Sequence, residues 1–417
     1  MRRLVLIILA IMFLFTVPII SAAADNPLVV VTIGSHVPVY EYAAAAFEKQ
    51  YGIPVQIVSQ AYDQTHEVIV TAAVGKSPGF DVAAIDTCFL PNYAVAGIAQ
   101  PLTDFASEDY FKKHTESSMG MMTYNGVPYA LGGGYNYKYF YYNEEMLKKG
   151  GFDSPPKTWD ELVEISKVLQ EKNIVQYGIA WGWAQTEGLI CDYTLMLNAF
   201  GGQYFDSSNK LVVDSQEALD ALQFMYDTIY TYGIADPAST SLTDREVMSL
   251  FLNGDIAFVL NWDFGWTWSQ DPAKSKVVDV TRLGLIPGTD KRVSSTTGGG
   301  SAPAILTTSK QKDIAWKFIE TFNSPEVQMA FLTELKSFRV TLNELLERPE
   351  LQEIPYSIMF EQQSYAYPRA KLSWYPQFSS ALQTEIHRAL TKSKSAEQAL
   401  KDAETQIQKL ASQFGGF

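Results

Sequence analysis

Histidine and cysteine are both scarce in this chain of 417 residues, with four of the first and two of the second. His36, His66, His114 and His387 are too far apart to share a metal at the usual ligand spacings, so no metal site is expected. His66-Glu67 is not followed by a second histidine at the interval of a zinc-binding helix. Cys88 and Cys191 lie in separate segments and cannot build a disulfide scaffold. They are expected as buried, unpaired thiols, with a disulfide as the alternative. Basic residues are also in deficit, 32 against 46 acidic ones. The net charge of −14 argues against nucleic acid and anionic lipid surfaces, which both require a basic footprint. No G-x-S-x-G elbow, phosphate loop or dinucleotide glycine motif occurs. Nothing in the sequence calls for a cofactor or for catalysis. A pair of carboxylates of the glycosidase kind stays open, because acidic residues are abundant.

What is present begins with the amino terminus. Arg2-Arg3 precede an apolar run from Leu4 to Ile20, and the small residues Ser21-Ala22-Ala23-Ala24 follow. That order is the pattern of a secretory signal, so residues 1–24 are read as removed on export, with an uncleaved anchor as the alternative. Loss of Arg2 and Arg3 takes the net charge from −14 to −16. No cysteine lies at the junction, which excludes lipid attachment there and favours a periplasmic or extracellular location. No later run is apolar for long enough to span a bilayer. Length suggests two or three structural units, and 47% apolar with 19% charged residues is an ordinary globular balance.

Val29–Ile33, Val55–Val58 and Asp81–Ile85 are short β-branched or apolar runs that read as strands buried on both faces. Helical spacing over 40–51 and 67–74 separates them, so a parallel sheet covered by helices is expected. Ligands of such sheets sit beyond the carboxyl ends of the strands, which singles out Ser35-His36 and Asp86-Thr87. From residue 157 the chain turns mostly helical. Helix starts are read at Thr158–Glu161, Asp214–Glu217, Thr243–Glu246, Ser324-Pro325 and Ser395–Gln398. Tyr177–Ala180, Ile256–Leu260 and Leu283–Ile286 read as further strands. No repeat or polar linker divides the chain, which points to two lobes sharing several crossings.

Tyr124–Leu162 is the most informative stretch. Gly132–Gly134 offer backbone freedom, the aromatic run Leu131–Tyr142 reads as a strand, and Thr158–Glu161 closes it with a helix start. A flexible break leading into an aromatic strand suits a passage between lobes. Two tryptophan groups follow apolar strands: Trp181 and Trp183, then Trp262, Trp266 and Trp268. Gln185 and Glu187 accompany the first, Asn261 and Asp263 the second. Flat rings beside amides and carboxylates suit a sugar, whose C–H faces stack while its hydroxyls hydrogen-bond. Trp183 and Trp262 are therefore read as ligand contacts, and Trp159, Trp268 and Trp316 as packing.

The segments Phe80–Asp86 with Ala96–Asp104, Gly126–Leu131, Tyr141–Asn143, Pro156–Leu162, Phe251–Phe258 with Asn261-Trp262, and Ala315–Glu320 with Ser324–Glu326 occur in the order of a known family. Over nearly all of its mature length the chain resembles extracellular solute-binding proteins (family 1) of carbohydrate ABC transporters, of the maltose/trehalose-binding type. The resemblance implies an α/β, periplasmic-binding-protein-like fold, with two α/β lobes joined by a multi-strand hinge around a ligand cleft. One lobe is expected from residues 25–134 and 283–333, the other from 135–282 and 334–417. It implies a monomer that closes on a sugar and delivers it to permease transmembrane subunits with their ATPase. It assigns Asp86 to sugar hydroxyls, Trp262 to stacking, the Gly298–Gly300 backbone to hydrogen bonds, and Arg369 to the cleft. The candidate ligand-binding set is His36, Asp63, Asp86, Tyr135, Asn136, Trp183, Glu187, Asn261, Trp262, Gly299, Gly300 and Arg369. Gly132–Gly134 and Gly300 depart from the bulkier residues of the family, which leaves ligand size open. A polyamine or other small polar solute in the same fold is the alternative ligand class, and an exported carbohydrate-active enzyme the alternative activity.

Overall fold

A computed structural model describes residues 26–75, 79–132 and 136–417, without the side chain of Asp63. The segment read as a signal, 1–24, and Tyr135 lie outside the described residues. Two α/β lobes face each other across a cleft.

The first lobe is built on a four-stranded sheet. β1 (Leu28–Ile33), α1 (Val37–Tyr51), β2 (Val55–Gln60), α2 (Tyr62–Val74) and β3 (Val82–Asp86) alternate in sequence. β1 pairs in parallel with β2 and with β3, and strand Ser301–Ile305 returns antiparallel to β3, with Ser301 opposite Asp86. Successive strand residues point to opposite faces, and both faces are covered here. Leu28, Val30, Val82 and Ala84 meet Tyr40, Ala43 and Phe47 of α1, together with Trp316 and Phe318. Val31, Ala83 and Ile85 meet Ile69 of α2 and Tyr93 on the other side. Two-sided burial explains why these strands are continuous apolar runs rather than alternating ones.

In the second lobe, Tyr139–Asn143 is the central strand of an antiparallel sheet, flanked by Phe258–Asn261 and Thr281–Gly284. Phe140, Phe258 and Leu260 pack on one side in a large helical core. Tyr139, Tyr141, Val259 and Leu283 pack on the other, against Val247, Phe251 and Phe338. Three expectations change here. The run Leu283–Ile286, expected to open the second part of the first lobe, joins this sheet instead because Leu283 pairs with Tyr141. The chain rejoins the first sheet only at Ser301. The strand read over Leu131–Tyr142 is regular only from Tyr139. Ahead of it, Asn136–Lys138 run beside Thr297–Gly299 through Gly299 N–H to Asn136 O (2.8 Å) and Lys138 N–H to Thr297 O (3.3 Å). Tyr177–Ala180 forms no full strand, only single bridges from Ile179 to Ala235 and Phe258.

Helix starts behave as their sequences require. Thr158 Oγ1 accepts from Glu161 N–H, while the Glu161 carboxylate accepts from Lys157 N–H rather than from Thr158. Thr243 and Glu246 form the full reciprocal box. Ser215, Ser324 and Ser395 cap the helices that follow them. Trp316 stacks on Phe105 (5.8 Å), and Trp159 is buried, as packing residues should be. Both cysteines are buried and unpaired. Among the described residues, no helix is long and apolar enough to cross a membrane.

Gly132, at the crossing, has φ +82°, and a β-carbon there would lie 1.8 Å from Asn323 Oδ1. Asn323 is buried and donates through Nδ2 to Leu131 O and Ile319 O, so it has little room to yield. Gly52 shares the left-handed conformation (φ +68°) but faces open space. Gly52→Ala should therefore cost only the backbone strain of about 1–2 kcal/mol, and Gly132→Ala distinctly more. Thermal denaturation of both variants checks this, and equal losses would contradict the packing argument.

His114 ties this region to the segment after the last crossing, with Nδ1 3.1 Å from Thr341 Oγ1. Burial, helped by Lys113, lowers its pKa to about 4. The unfolded imidazole therefore binds its proton first, and native stability falls as pH drops from about 6.5 towards 4. Between pH 7 and 5 this group alone should account for a loss of about 2 kcal/mol. Urea titrations of wild type and His114→Gln at the two pH values should show a smaller loss in the variant.

Candidate functional site

β1 and β3 run in parallel, so their carboxyl ends open on the same edge of the first sheet. That edge forms one wall of a cavity of about 250 Å³ between the lobes. Ser35 and His36 enter from the turn after β1, Tyr62 from the first position of α2, and Asp86 from the end of β3. The opposite wall comes from Thr186–Gly188, Asp244, Arg245, Trp262 and Phe264, and the floor from Asn136, Gly299 and Gly300 at the crossings.

Arg369 follows the short strand Ala366–Tyr367, which pairs with Thr296-Thr297. Its guanidinium, almost wholly buried, bridges the lobes. Nη2 lies 2.8 Å from Asp86 Oδ1, and Nη1 lies 2.8 Å from Glu187 Oε1. Most of the remaining acceptor positions of the two carboxylates are filled from within. Asp86 accepts from Tyr62 OH (2.9 Å), Cys88 N–H (3.1 Å) and Thr87 Oγ1 (3.3 Å). Glu187 accepts from the Tyr375 and Ser379 hydroxyls and from Gln383 Nε2 (3.4 Å). A carboxylate offers about four acceptor sites, two on each oxygen, so Glu187 has none left over, while Asp86 keeps one on Oδ2, where Tyr62 is the single donor among the described residues.

A second buried cation backs the opposite wall. Lys138 Nζ donates to Asp244 Oδ1 (2.5 Å) and lies 3.1 Å from Asp192 Oδ1, the latter without the alignment of a hydrogen bond. Burial pulls the ammonium towards deprotonation, but Asp192 and Asp244 more than offset it, and its pKa stands above the ordinary lysine value. Burial raises the Asp192 carboxyl to about 6, with Lys138 opposing and Asp244 adding to the rise. Asp244 Oδ2 in turn accepts from Trp262 Nε1 (2.8 Å), and the Lys138 ammonium lies 5.1 Å from the centre of the Trp262 ring. A β-carbon at Gly299 would come within 2.7 Å of that indole, so glycine there makes room for the ring. Trp262 lines the cleft half-buried.

His36, Asp86, Asn136, Glu187, Trp262, Gly299 and Gly300 thus come together around one cavity, and Arg369 joins two of them from behind. His36 is buried, with Nδ1 2.9 Å from Ser301 Oγ. Burial and then the fields of Arg339 and Arg245 hold its pKa well below the usual histidine value, so the imidazole is neutral at neutral pH. Two expected ligand contacts are corrected. Trp183 is fully buried away from the cavity, stacked on Trp181 at 4.7 Å, and its Nε1 donates to Asp192. Asn261 is fully buried too, its Nδ2 on Asp244 O and its Oδ1 on Trp262 N–H, so it orients the wall without reaching the cleft. Asp63 lies on α2, with its side chain outside the described part, as is Tyr135. The sequence reading missed Tyr62, Asp244, Arg245 and Phe264. For Asp244 and Arg245 the Thr243–Glu246 helix start was the available signal. Among the described residues, no group of histidine, cysteine and acidic side chains is arranged to hold a metal ion.

Replacing Lys138 by methionine would leave Asp192 and Asp244 facing each other without their cation. The variant should lose about 3–5 kcal/mol at neutral pH. The Asp192 carboxyl, already raised by burial, would lose the cation that opposes the rise, so part of the stability should return as pH falls and it protonates. Urea denaturation of Lys138→Met near pH 7 and pH 5 checks both signs, and wild-type stability at pH 7 would contradict the role given to this cation.

Comparison with known proteins agrees with this architecture. The profile of the family described as bacterial extracellular solute-binding protein matches residues 34–329. The maltotriose-binding protein of Pyrococcus abyssi is 28% identical over 316 residues, covering 74% of this chain and 64% of that protein. The arabinooligosaccharide-binding protein of Halalkalibacterium halodurans is 29% identical over 234 residues, covering 54% of this chain and 50% of that protein. The chain thus matches between half and two thirds of the length of these relatives. The maltose-bound structure of T. maritima MalE3 has a TM-score of 0.86 at 27% identity and covers 92% of this chain and 99% of that one. With the family profile spanning well over half of its residues, the chain belongs to the bacterial extracellular solute-binding proteins.

Proposed function

We propose that this protein is the exported binding component of an ABC transporter. It takes up a neutral saccharide, from a monosaccharide to a short oligosaccharide, and delivers it to permease transmembrane subunits driven by their ATPase. The observation that carries this reading is the internal pairing of the cleft carboxylates. Asp86 and Glu187 share Arg369, and Asp244 holds Lys138. A polyamine would need carboxylates free to receive its ammonium groups, and a glycosidase would need an acid and a base with open positions. What the cleft leaves available is the half-buried Trp262 and Phe264, the Arg245 guanidinium, His36, and the hydroxyls of Ser35 and Thr186. Rings with scattered donors and acceptors suit an uncharged polyhydroxyl ligand. The maltotriose, arabinooligosaccharide and maltose ligands named for the relatives support the same class.

The mechanism follows from the shape. A ligand touching both walls binds the closed arrangement better than the open one, so it shifts the population towards closure by its differential affinity. The permease then reads closure. The protein acts as a monomer and leaves the sugar unchanged.

Isothermal titration with maltose, maltotriose, mannitol and putrescine tests the reading. At least one of the three neutral ligands should bind and putrescine should not. Trp262→Ala should weaken that binding by about tenfold or more, the scale of losing a stacked aromatic contact. Trp183→Phe should leave affinity unchanged and lower the melting temperature. Heat from putrescine alone would overturn the proposal.

A further inference from the structure

Arg245 is the second residue of the helix Asp244–Asn253, and the start of that helix is fixed on every side. The Thr243–Glu246 box satisfies its first amides, and Asp244 is tied to Lys138 and Trp262. Gly182 and Gly188 pack so closely on Asp244 that β-carbons there would come within 2.7 and 3.2 Å of its carboxylate. Arg245 therefore projects from a rigid point of the second lobe. Its guanidinium ends against the first lobe, where a β-carbon on Gly34 would lie 3.3 Å from Nη2. Gly34 opens the turn that carries Ser35 and His36 into the cleft. Its φ lies outside the left-handed region, so the backbone there does not demand glycine. What glycine supplies is space that the Arg245 guanidinium shares with Ser59 Oγ, 3.4 Å from the same β-carbon position.

Arg245 also lines the cavity while its outer side stays in solvent, which puts it at the cleft mouth. Among the described residues no carboxylate pairs with it, whereas Asp86, Glu187 and Asp244 all have cationic partners. Among the described residues, none of its five N–H donors makes a hydrogen bond.

We propose that Arg245 is a closure clasp, seated on the Gly34 backbone of the opposite lobe and donating inward to the bound solute. This rests on the binding-cleft reading above and adds to it the residue pair that senses closure. Closing on an empty cleft strips water from the inner side of the guanidinium without giving its donors new acceptors. Closing on a hydroxyl-bearing ligand supplies them. The clasp thus makes closure dependent on occupancy, and it acts by positioning the lobes.

Titration of maltose into wild type, Arg245→Ala, Gly34→Leu and the double variant tests the pair. Each single change should weaken maltose binding roughly tenfold, the scale of a charge-assisted hydrogen bond. The ligand-free melting temperature of Arg245→Ala should stay near the wild-type value, because the side chain is exposed and makes no ion pair among the described residues, whereas leucine at 34 also meets Ser59 and should lower it somewhat. Leucine at 34 occupies the place that Arg245 vacates, so the double variant should be no weaker than the worse single one. Additive losses, or single variants that bind like wild type, would overturn the clasp. A second experiment needs no ligand. In Gly34→Cys/Arg245→Cys, a short bis-maleimide should join the two thiols during transient closure, the native cysteines being buried. If both engineered thiols accept a monofunctional maleimide yet never cross-link, the clasp is wrong whatever the protein binds. If they cross-link while maltose, maltotriose and mannitol all fail to bind the wild type, the clasp stands and the sugar reading fails.

Discussion

Arg369 commits both terminal nitrogens to carboxylates from opposite lobes, and the rest of the cleft is arranged around that commitment. Asp86 arrives at the end of a parallel strand and Glu187 at the start of a helix in the other lobe. Neither could be buried beside the other as a bare anion. The shared guanidinium, with the hydroxyls and amides that fill most of the remaining lone pairs, makes their burial tolerable. The consequence for function is indirect. Groups that look from sequence like ligand acceptors are consumed in holding the two halves in register, and recognition passes to the indole, the imidazole and the uncommitted donors around them.

Lys138 does on the far wall what Arg369 does on the floor. It sits on the passage between lobes, beneath Trp262, and gathers Asp192 and Asp244. The two buried cations offset part of the charge of the four carboxylates they gather inside an acidic protein. They also fix side chains that would otherwise be free to rotate. Trp262 is held by its Nε1 on Asp244 and by the close backbone of Gly299, so its face is set before any ligand arrives. Preorganisation of this kind reduces the ordering cost of binding.

Much of the fold was legible in the sequence because local rules and tertiary contacts agree. The β-branched run Val29–Ile33 reads as a strand buried on both faces, and the strand Leu28–Ile33 is covered on both faces by helices. The crossing near Gly132 was legible for a physical reason too, since a positive φ against Asn323 admits no side chain. The site was legible where it follows topology, at His36 and Asp86 beyond the strand ends. It was not legible where two residues share one local pattern. Trp183 and Trp262 both follow apolar strands and both have amides and acids nearby. Only the helix Glu187–Ala199, folding Asp192 back onto Trp183, separates the buried indole from the half-buried one in the cleft. Asn261 turned inward for a similar reason, because the carbonyl of Asp244 needed a donor. The lobe boundary placed at 283 changes because a short run such as Leu283–Ile286 suits either sheet, and only the pairing of Thr281–Gly284 with Phe140–Asn143 decides.

The central claim is that a neutral saccharide holds the two lobes together across this cleft. Small-angle X-ray scattering of the wild-type protein, with and without saturating maltose or maltotriose, tests that most directly. The account predicts a smaller radius of gyration when the sugar is bound, because open molecules move to the closed arrangement. A sugar that binds without changing the scattering profile would contradict it.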